Sequence, residues 1–451
     1  MFAADAVMAL NFQQRKRLYN LCNPDEALTP EDPRNIDFDA LPQEVRGASW
    51  VAALAADIEL SGVPVSILVA GLPGSGKSTE LHRLEKRLAS SNSAGLLPVY
   101  IDAETLLDLT SRIDVVDIVT AILYASERAV LVAEQRDPAL ALTDGYIQRL
   151  WHWLTTTDVE LGRGNLAIPG GASLSVELKS RPSLRQRVRT VVAGHFTQFL
   201  TEARAELKSL DERATLLDHG GLLVIFDSLE KLRGTTSAWH EVLDSAEIFF
   251  LKNVPNLDLP VHIVFTVPTA LLTRIGGIRL LPMLKVRTRE GEPYAPGVAA
   301  ARELITRRIE PAALKEIFGP EMEARIDEMV RWSGGYPREL IRLLRDAIRD
   351  SAAGPLSNEV FARMFAGVVE TYRFLVSADV VPWLVSVART RFMTVERDDQ
   401  RLAADRMLQN NAILYYANAE GWHDLHPALY ENPIIRTALA TAERAIKDPK
   451  D

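Results

Sequence analysis

The run Gly71-Leu-Pro-Gly-Ser-Gly-Lys-Ser78 fits the pattern G-x-x-x-x-G-K-[ST] in every position. The chemistry of such a run is phosphate binding. Its glycines let the backbone curl until successive N–H groups point at phosphate oxygens. Gly71, Gly74, Ser75, Gly76 and Lys77 are the candidate cradle, Ser78 offers a hydroxyl to Mg²⁺, and Thr79 follows on the same turn. Lys77 places a point charge on the outer phosphates, and a helix starting near it adds its positive end. The neighbours support this. Val65–Ala70 is a nearly continuous apolar run of the kind buried on both faces of a parallel sheet, and Leu81, Leu84 and Leu88 recur at helical spacing.

Three further stretches could do chemistry. Leu222-Leu-Val-Ile-Phe-Asp-Ser-Leu-Glu230 is a buried strand ending in a carboxylate. Asp227 can hold Mg²⁺ through its water shell, opposite Ser78. Glu230 can polarise an attacking water, or it is a solvated acid at a helix start. Thr266, just past the strand Val261–Phe265, can bond the γ-phosphate or the water, or is a plain strand-end threonine. In Trp332-Ser-Gly-Gly-Tyr-Pro-Arg-Glu-Leu340, Gly334 and Gly335 make a turn and Pro337 suits the first helical position. A well-capped helix explains that stretch. A nucleotide contact, with Pro337 near the adenine and Arg338 on the phosphates, explains it equally.

The elements that must position these residues alternate strand with helix, which indicates an α/β fold with a parallel sheet wrapped in helices. Strands are expected at Val65–Ala70, Leu97–Ile101, Leu222–Phe226, Val261–Phe265 and Met283–Val286, and a helix from Ser49 to Leu60. Asp102, Asp227 and Thr266 each follow the carboxyl end of a strand, where open α/β sheets place ligands. Lys77 and Asp227 are 150 positions apart, room for an insertion at about 135–215. Its Gly-rich flanks, Leu161–Gly164 and Pro169–Gly171, and the alternation of Ser173–Leu178 suggest a β-hairpin. One long helix through Val188, Val192, Phe196 and Phe199 then returns to the sheet. Residues 1–45 read as an extended strap broken by Pro24, Pro30, Pro33 and Pro42. Residues 46–295 are the expected core, 296–352 a helical lid, and 353–451 a winged-helix-like module. In that module three helices precede a hairpin, Ile413–Tyr416 and Trp422–Leu425.

Composition narrows the class. Of 451 residues 47% are apolar and 25% charged, which excludes wholesale disorder. A net charge of −9 argues against blanket binding to a phosphate backbone. Cys22 is the only cysteine, so no intramolecular disulfide or cysteine metal cluster can form. No apolar run approaches the roughly 18 residues of a bilayer span, and Met1–Asp5 has no signal-peptide character, so a cytoplasmic protein without membrane contact is expected.

With these motifs the sequence resembles the AAA+/STAND branch of P-loop ATPases, over roughly Arg46 to Asp350 plus the helical C-terminal module. Gly71–Ser78 is similar to Walker A, Asp227 to the Walker B aspartate, Thr266 to sensor 1, and Gly334–Arg338 to a lid motif that carries a nucleotide-touching proline or a sensor 2 arginine. Arg46-Gly47 sits where relatives carry a box that caps the nucleotide. The resemblance implies an ATP- and Mg²⁺-dependent switch that hydrolyses ATP, with a homo-oligomer within its range. It would act through a separate effector protein, in settings such as bacterial defence or stress signalling. Ser228 departs from the pattern, since typical AAA+ proteins place their catalytic glutamate there; Glu230 is the substitute, or hydrolysis is slow. Arg274 and Arg279 lie where an arginine finger is usual but read better as surface arginines.

The alternative is a DNA-binding AAA+ ATPase, a loader resembling initiators or transposition regulators. The cluster Lys179-Ser-Arg-Pro-Ser-Leu-Arg-Gln-Arg-Val-Arg189 could meet phosphates, although a partly salt-bridged helix face accounts for it better. An ABC-type ATPase is excluded because Ser333-Gly-Gly335 follows the Walker B strand rather than preceding it. His423-Asp-Leu-His426 has no third ligand in view and reads as a turn flanking the wing.

Overall fold

The computed structural model describes residues 10–143, 146–157, 174–232, 239–417 and 420–447. Two compact units divide the chain: one formed by 51–70 and 81–280, the other by 1–50, 71–80 and 281–451.

The first unit is an α/β layer structure. Its strands are β1 (Ser66–Gly71), β2 (Leu97–Asp102), β3 (Leu222–Asp227), β4 (His262–Thr266) and β5 (Arg279–Leu281), in the order β2-β3-β4-β1-β5. β2, β3, β4 and β1 run parallel, with Asp102 opposite Asp227 and Phe226 opposite Phe265. Every residue of β3 is buried, as a strand covered by helices on both faces requires. The helices Val115–Ala133 and Phe196–Leu216 supply Ile118, Ile122, Ala203, Leu207 and Leu210 to the core around Val224 and Phe226. Asp114 caps the first of them by accepting the Val116 N–H. Among the described residues no helix is long and apolar enough to cross a membrane.

Three expectations for this region are corrected. Residues Leu174–Ser180 form a helix, not half of a hairpin. Leu174 and Leu178 also stand four apart, Glu177 pairs with Arg181 at 2.9 Å one turn on, and burial of Leu178 settles the choice between the two periods. The glycine flanks 161–164 and 169–171 lie outside the described residues. The single long helix is two, Pro182–Gly194 and Phe196–Leu216, broken where Gly194 weakens the helix and His195 leaves helical geometry (φ −134°, ψ 30°). The last strand of the sheet is Arg279–Leu281, ahead of Pro282, rather than Met283–Val286. Met283, Leu284 and Lys285 donate their N–H groups to Tyr415, Gly335 and Val45 in turn, three separate segments rather than one ladder.

That junction organises the second unit. Gly335 has φ +79°, and a Cβ there would fall 1.8 Å from the Leu284 carbonyl oxygen, so only glycine fits. The helices Ala295–Thr306, Met322–Ser333 and Pro337–Asp350 pack a core that includes Leu304, Met329, Leu340 and Leu344. The lead-in contributes Leu10, Cys22, Ile36, Phe38 and Val45 to the same core. It is not extended throughout: Phe12–Leu21, which precedes the first proline of the strap, is helical and closed by a capping box between Asn11 and Gln14. Helices Asn358–Arg373, Val381–Thr390 and Asp398–Gln409 lead to the antiparallel pair β6 (Ile413–Ala417) and β7 (Gly421–Leu425), as the pattern of the sequence predicts. Two helices not singled out in the sequence, Pro427–Tyr430 and Pro433–Lys447, follow.

His423 and His426 sit in this hairpin region, His426 stacked on Tyr372 with centroids 4.1 Å apart. Burial lowers the pKa of His423 to about 4 and of His426 to about 3. Between those values and about 6.5 the unfolded chain takes up protons that the folded chain refuses. Stability is therefore expected to hold above pH 6.5 and to fall as the pH drops towards 4. Thermal melts of the wild type and of His426→Gln across that window check this, the variant showing the shallower decline.

Candidate nucleotide site

The Gly71–Ser78 loop lies in the second unit, between Gly71, the last residue of β1, and the helix Lys77–Ala89. Gly74 (φ +81°) and Gly76 (φ +94°) adopt the left-handed backbone that the sequence pattern requires of them. The first N–H groups of the helix have no intrahelical partner by geometry, and Lys77 and Ser78 stand on its first turn. Lys77 and Ser75 are buried, and Ser75 Oγ has no hydrogen-bond partner among the described residues.

Side chains from three distant segments meet the loop. Arg46 donates to the Ser75 carbonyl at 2.7 Å, pairs with Glu80 at 3.1 Å, and lies over the Phe38 ring. Asn411 Nδ2 donates to the Pro73 carbonyl at 3.1 Å. Arg338 crosses Gly74 so closely that a Cβ there would lie 2.5 Å from Arg338 Cβ. Pro337 occupies the first turn of the Pro337–Asp350 helix, which holds Arg338 in that place. The strap closes the other side: Arg338 Nε donates to the Pro24 carbonyl at 3.2 Å and faces Asp25, while the Leu28 N–H donates to Thr79 Oγ1 at 3.3 Å. Gly71–Thr79, Pro337, Arg338 and Arg46 thus lie around one loop. Asn411 and the strap contacts were missed. Asn411 has φ +54° and is buried, a left-handed asparagine that in sequence is indistinguishable from an ordinary turn residue.

The strand-end residues belong to the first unit. Asp227 is buried, with Oδ1 accepting the Ser228 N–H at 2.7 Å and Oδ2 accepting the Tyr100 hydroxyl at 2.6 Å. Burial and the Asp227 charge raise the Tyr100 pKa well above its ordinary value, so this phenol is a donor at any working pH. Ser228 takes a left-handed φ of +69°, which starts the short turn Leu229–Lys231 and leaves Glu230 half-buried. Thr266 Oγ1 accepts the Leu229 N–H at 3.0 Å and donates to the Phe226 carbonyl at 3.3 Å, so it braces that turn.

Four cations of the basic cluster have internal partners. Lys179 bonds the Glu104 carbonyl, Arg181 pairs with Glu177, Arg185 with Asp108 at 2.8 Å, and Arg189 with Asp117. Arg274 pairs with Asp244 and Glu247, and Arg279 with Asp57.

No family model matches the chain, and no curated protein matches it. Several solved structures are similar, among them those of two archaeal proteins. One is Cdc6p from Pyrobaculum aerophilum, at 10% identity and a TM-score of 0.37 over 94% of this chain and 98% of that one. The other is the Aeropyrum pernix ORC2 protein in ADPNP and ADP complexes, at 12% identity and a TM-score of 0.36 over 95% and 98%. The α/β architecture itself is read directly from the strand order and register above.

The arrangement can bind an anion. Two left-handed glycines ahead of a helix start, a lysine in the first turn and two flanking arginines fit a polyphosphate in both charge and donor type. By residue type, Ser78 in the second unit and Asp227 in the first each offer the oxygen donors that Mg²⁺ prefers.

Proposed function

We propose that the protein is an ATP-binding P-loop ATPase of the AAA+ kind. The observation that carries this is the backbone of Gly71–Ser78, whose Gly74 and Gly76 adopt positive φ directly before the Lys77 helix. Gly71, Gly74, Ser75, Gly76, Lys77, Ser78 and Thr79 would hold the phosphates, with Pro337 and Arg338 on the lid side. Ser78 and Asp227 would hold Mg²⁺, which when bound neutralises the charge that builds on the transferred phosphoryl group. Glu230 would orient the attacking water, and Thr266 would act by fixing the turn that carries Glu230. Arg338, now bonded to the Pro24 carbonyl, would exchange that partner for phosphate, so that nucleotide loading releases the strap. In this reading the chain is a switch: nucleotide occupancy sets the strap and lid, and a separate effector protein reads the result.

Duplex DNA is the second output. The three helices leading into the β6–β7 hairpin favour it, an order found in winged-helix modules. The Lys179–Arg189 cluster favours it less, since Arg181, Arg185 and Arg189 are paired with acids and Lys179 bonds a backbone carbonyl. One experiment separates the outputs: binding of labelled duplex with ATP or ADP bound, at rising salt. Affinity that falls steeply with salt, and only in one nucleotide state, establishes the DNA output. No binding at low salt assigns the output to a protein. ATP turnover is measured in the same samples, and its complete absence would refute the ATPase reading.

A further inference from the structure

We infer that Tyr100 is a positioning residue for the Mg²⁺ carboxylate, holding Asp227 in the orientation from which it meets the ion; this rests on the reading of Asp227 as that carboxylate. The sheet register creates the contact. Tyr100 on β2 stands opposite Ile225 on β3, so Asp227, two residues further along, projects from the same face on the diagonal. That diagonal is within reach of a tyrosine and beyond reach of a short polar side chain.

The resulting bond is 2.6 Å, and it joins the phenol to Oδ2 while the Ser228 N–H takes Oδ1 at 2.7 Å. A donor on each of the two oxygens fixes the plane of the carboxylate. The phenol is itself held. His82 stacks on its ring with centroids 4.3 Å apart and planes inclined by 18°, and Glu85 holds His82 Nδ1 at 2.9 Å. His82 and Glu85 lie on the helix that begins at Lys77. A chain Glu85–His82–Tyr100–Asp227 therefore runs from the phosphate-loop helix to the strand-end carboxylate. Phenylalanine would serve the stacking as well; only the hydroxyl serves Asp227.

The test is Mg²⁺ affinity of the ATP-loaded full chain by calorimetric titration, with steady-state ATP turnover against Mg²⁺ concentration at saturating ATP, for wild type, Tyr100→Phe, Asp227→Asn and the double variant. Outer-shell partners of metal ligands are commonly worth 10- to 100-fold in metal affinity. Tyr100→Phe is expected to raise the Mg²⁺ concentration at half-maximal rate about tenfold, with the KM for ATP and the melting temperature little changed. The double variant is expected to turn over no more slowly than Asp227→Asn alone. An unchanged Mg²⁺ dependence in Tyr100→Phe, with Asp227→Asn impaired, would overturn the inference and leave the ATPase reading standing. Wild-type turnover in Asp227→Asn would overturn both. If Tyr100→Phe does not fold, His82→Ala replaces it; it frees the ring and should shift the Mg²⁺ dependence in the same direction, and no shift overturns the inference.

Discussion

Replacing Lys77 with alanine should weaken ATP binding at least a hundredfold, about 2.7 kcal/mol by the usual conversion. The argument is electrostatic. Lys77 is buried on the first turn of its helix, where its charge is poorly screened by solvent. Backbone N–H groups can hold phosphate oxygens but cannot neutralise the charge of a triphosphate. Arg338 cannot take over, because in this reading it already holds its own place on the phosphates from the lid side of the loop. Alanine is a good helix former, so Lys77→Ala should leave the Lys77–Ala89 helix intact and its melting temperature near that of the wild type. Equilibrium titration with a fluorescent ATP analogue reads the effect. Near-native affinity in the variant would mean that the loop is not the phosphate site.

Asp227→Asn should leave nucleotide affinity within a few-fold of the wild type while turnover falls a hundredfold or more. The substitution keeps the shape and the acceptor oxygen but removes the charge that orders the water shell of Mg²⁺. A loss confined to turnover marks an interaction made in the transition state rather than on binding. A side effect is specific to this chain. An amide can still accept from one of the two present donors, the Ser228 N–H or the Tyr100 hydroxyl, but turns its NH₂ towards the other. Some loss of stability should therefore accompany the loss of rate, and melting alongside turnover separates the two. Unchanged hydrolysis in a folded variant would reassign the metal carboxylate.

The elements nearest this chemistry were the most legible. The run Leu222–Phe226 is apolar throughout because it is covered on both faces, and no helical period competes with it. Gly71–Ser78 specifies its own backbone, since Gly74 and Gly76 stand where φ must be positive. The Pro337 helix was visible from its proline, its paired glycines and the face Leu340, Leu344, Ala347 and Ile348.

What was illegible depends on partners distant in the chain. Asn411 reaches Pro73 across 338 positions, and Tyr100 reaches Asp227 across 127. Neither pairing leaves a local trace. The Leu174–Ser180 helix was misread because a short segment satisfied both periods and only burial of Leu178 decided between them. Met283–Val286 has the composition of a strand, yet its backbone bonds three separate segments. The ion pairs of Arg185 and Arg189 likewise depend on Asp108 and Asp117, more than seventy positions away.

The central claim is that the loop around Gly74–Lys77 receives a triphosphate. Its most direct test is calorimetric titration of ATP with Mg²⁺ into the full-length wild-type chain. The account predicts saturable binding of one nucleotide per chain, weakened at least about a hundredfold by Lys77→Ala. Absence of binding by a folded wild-type protein, or equal binding by wild type and variant, would contradict it.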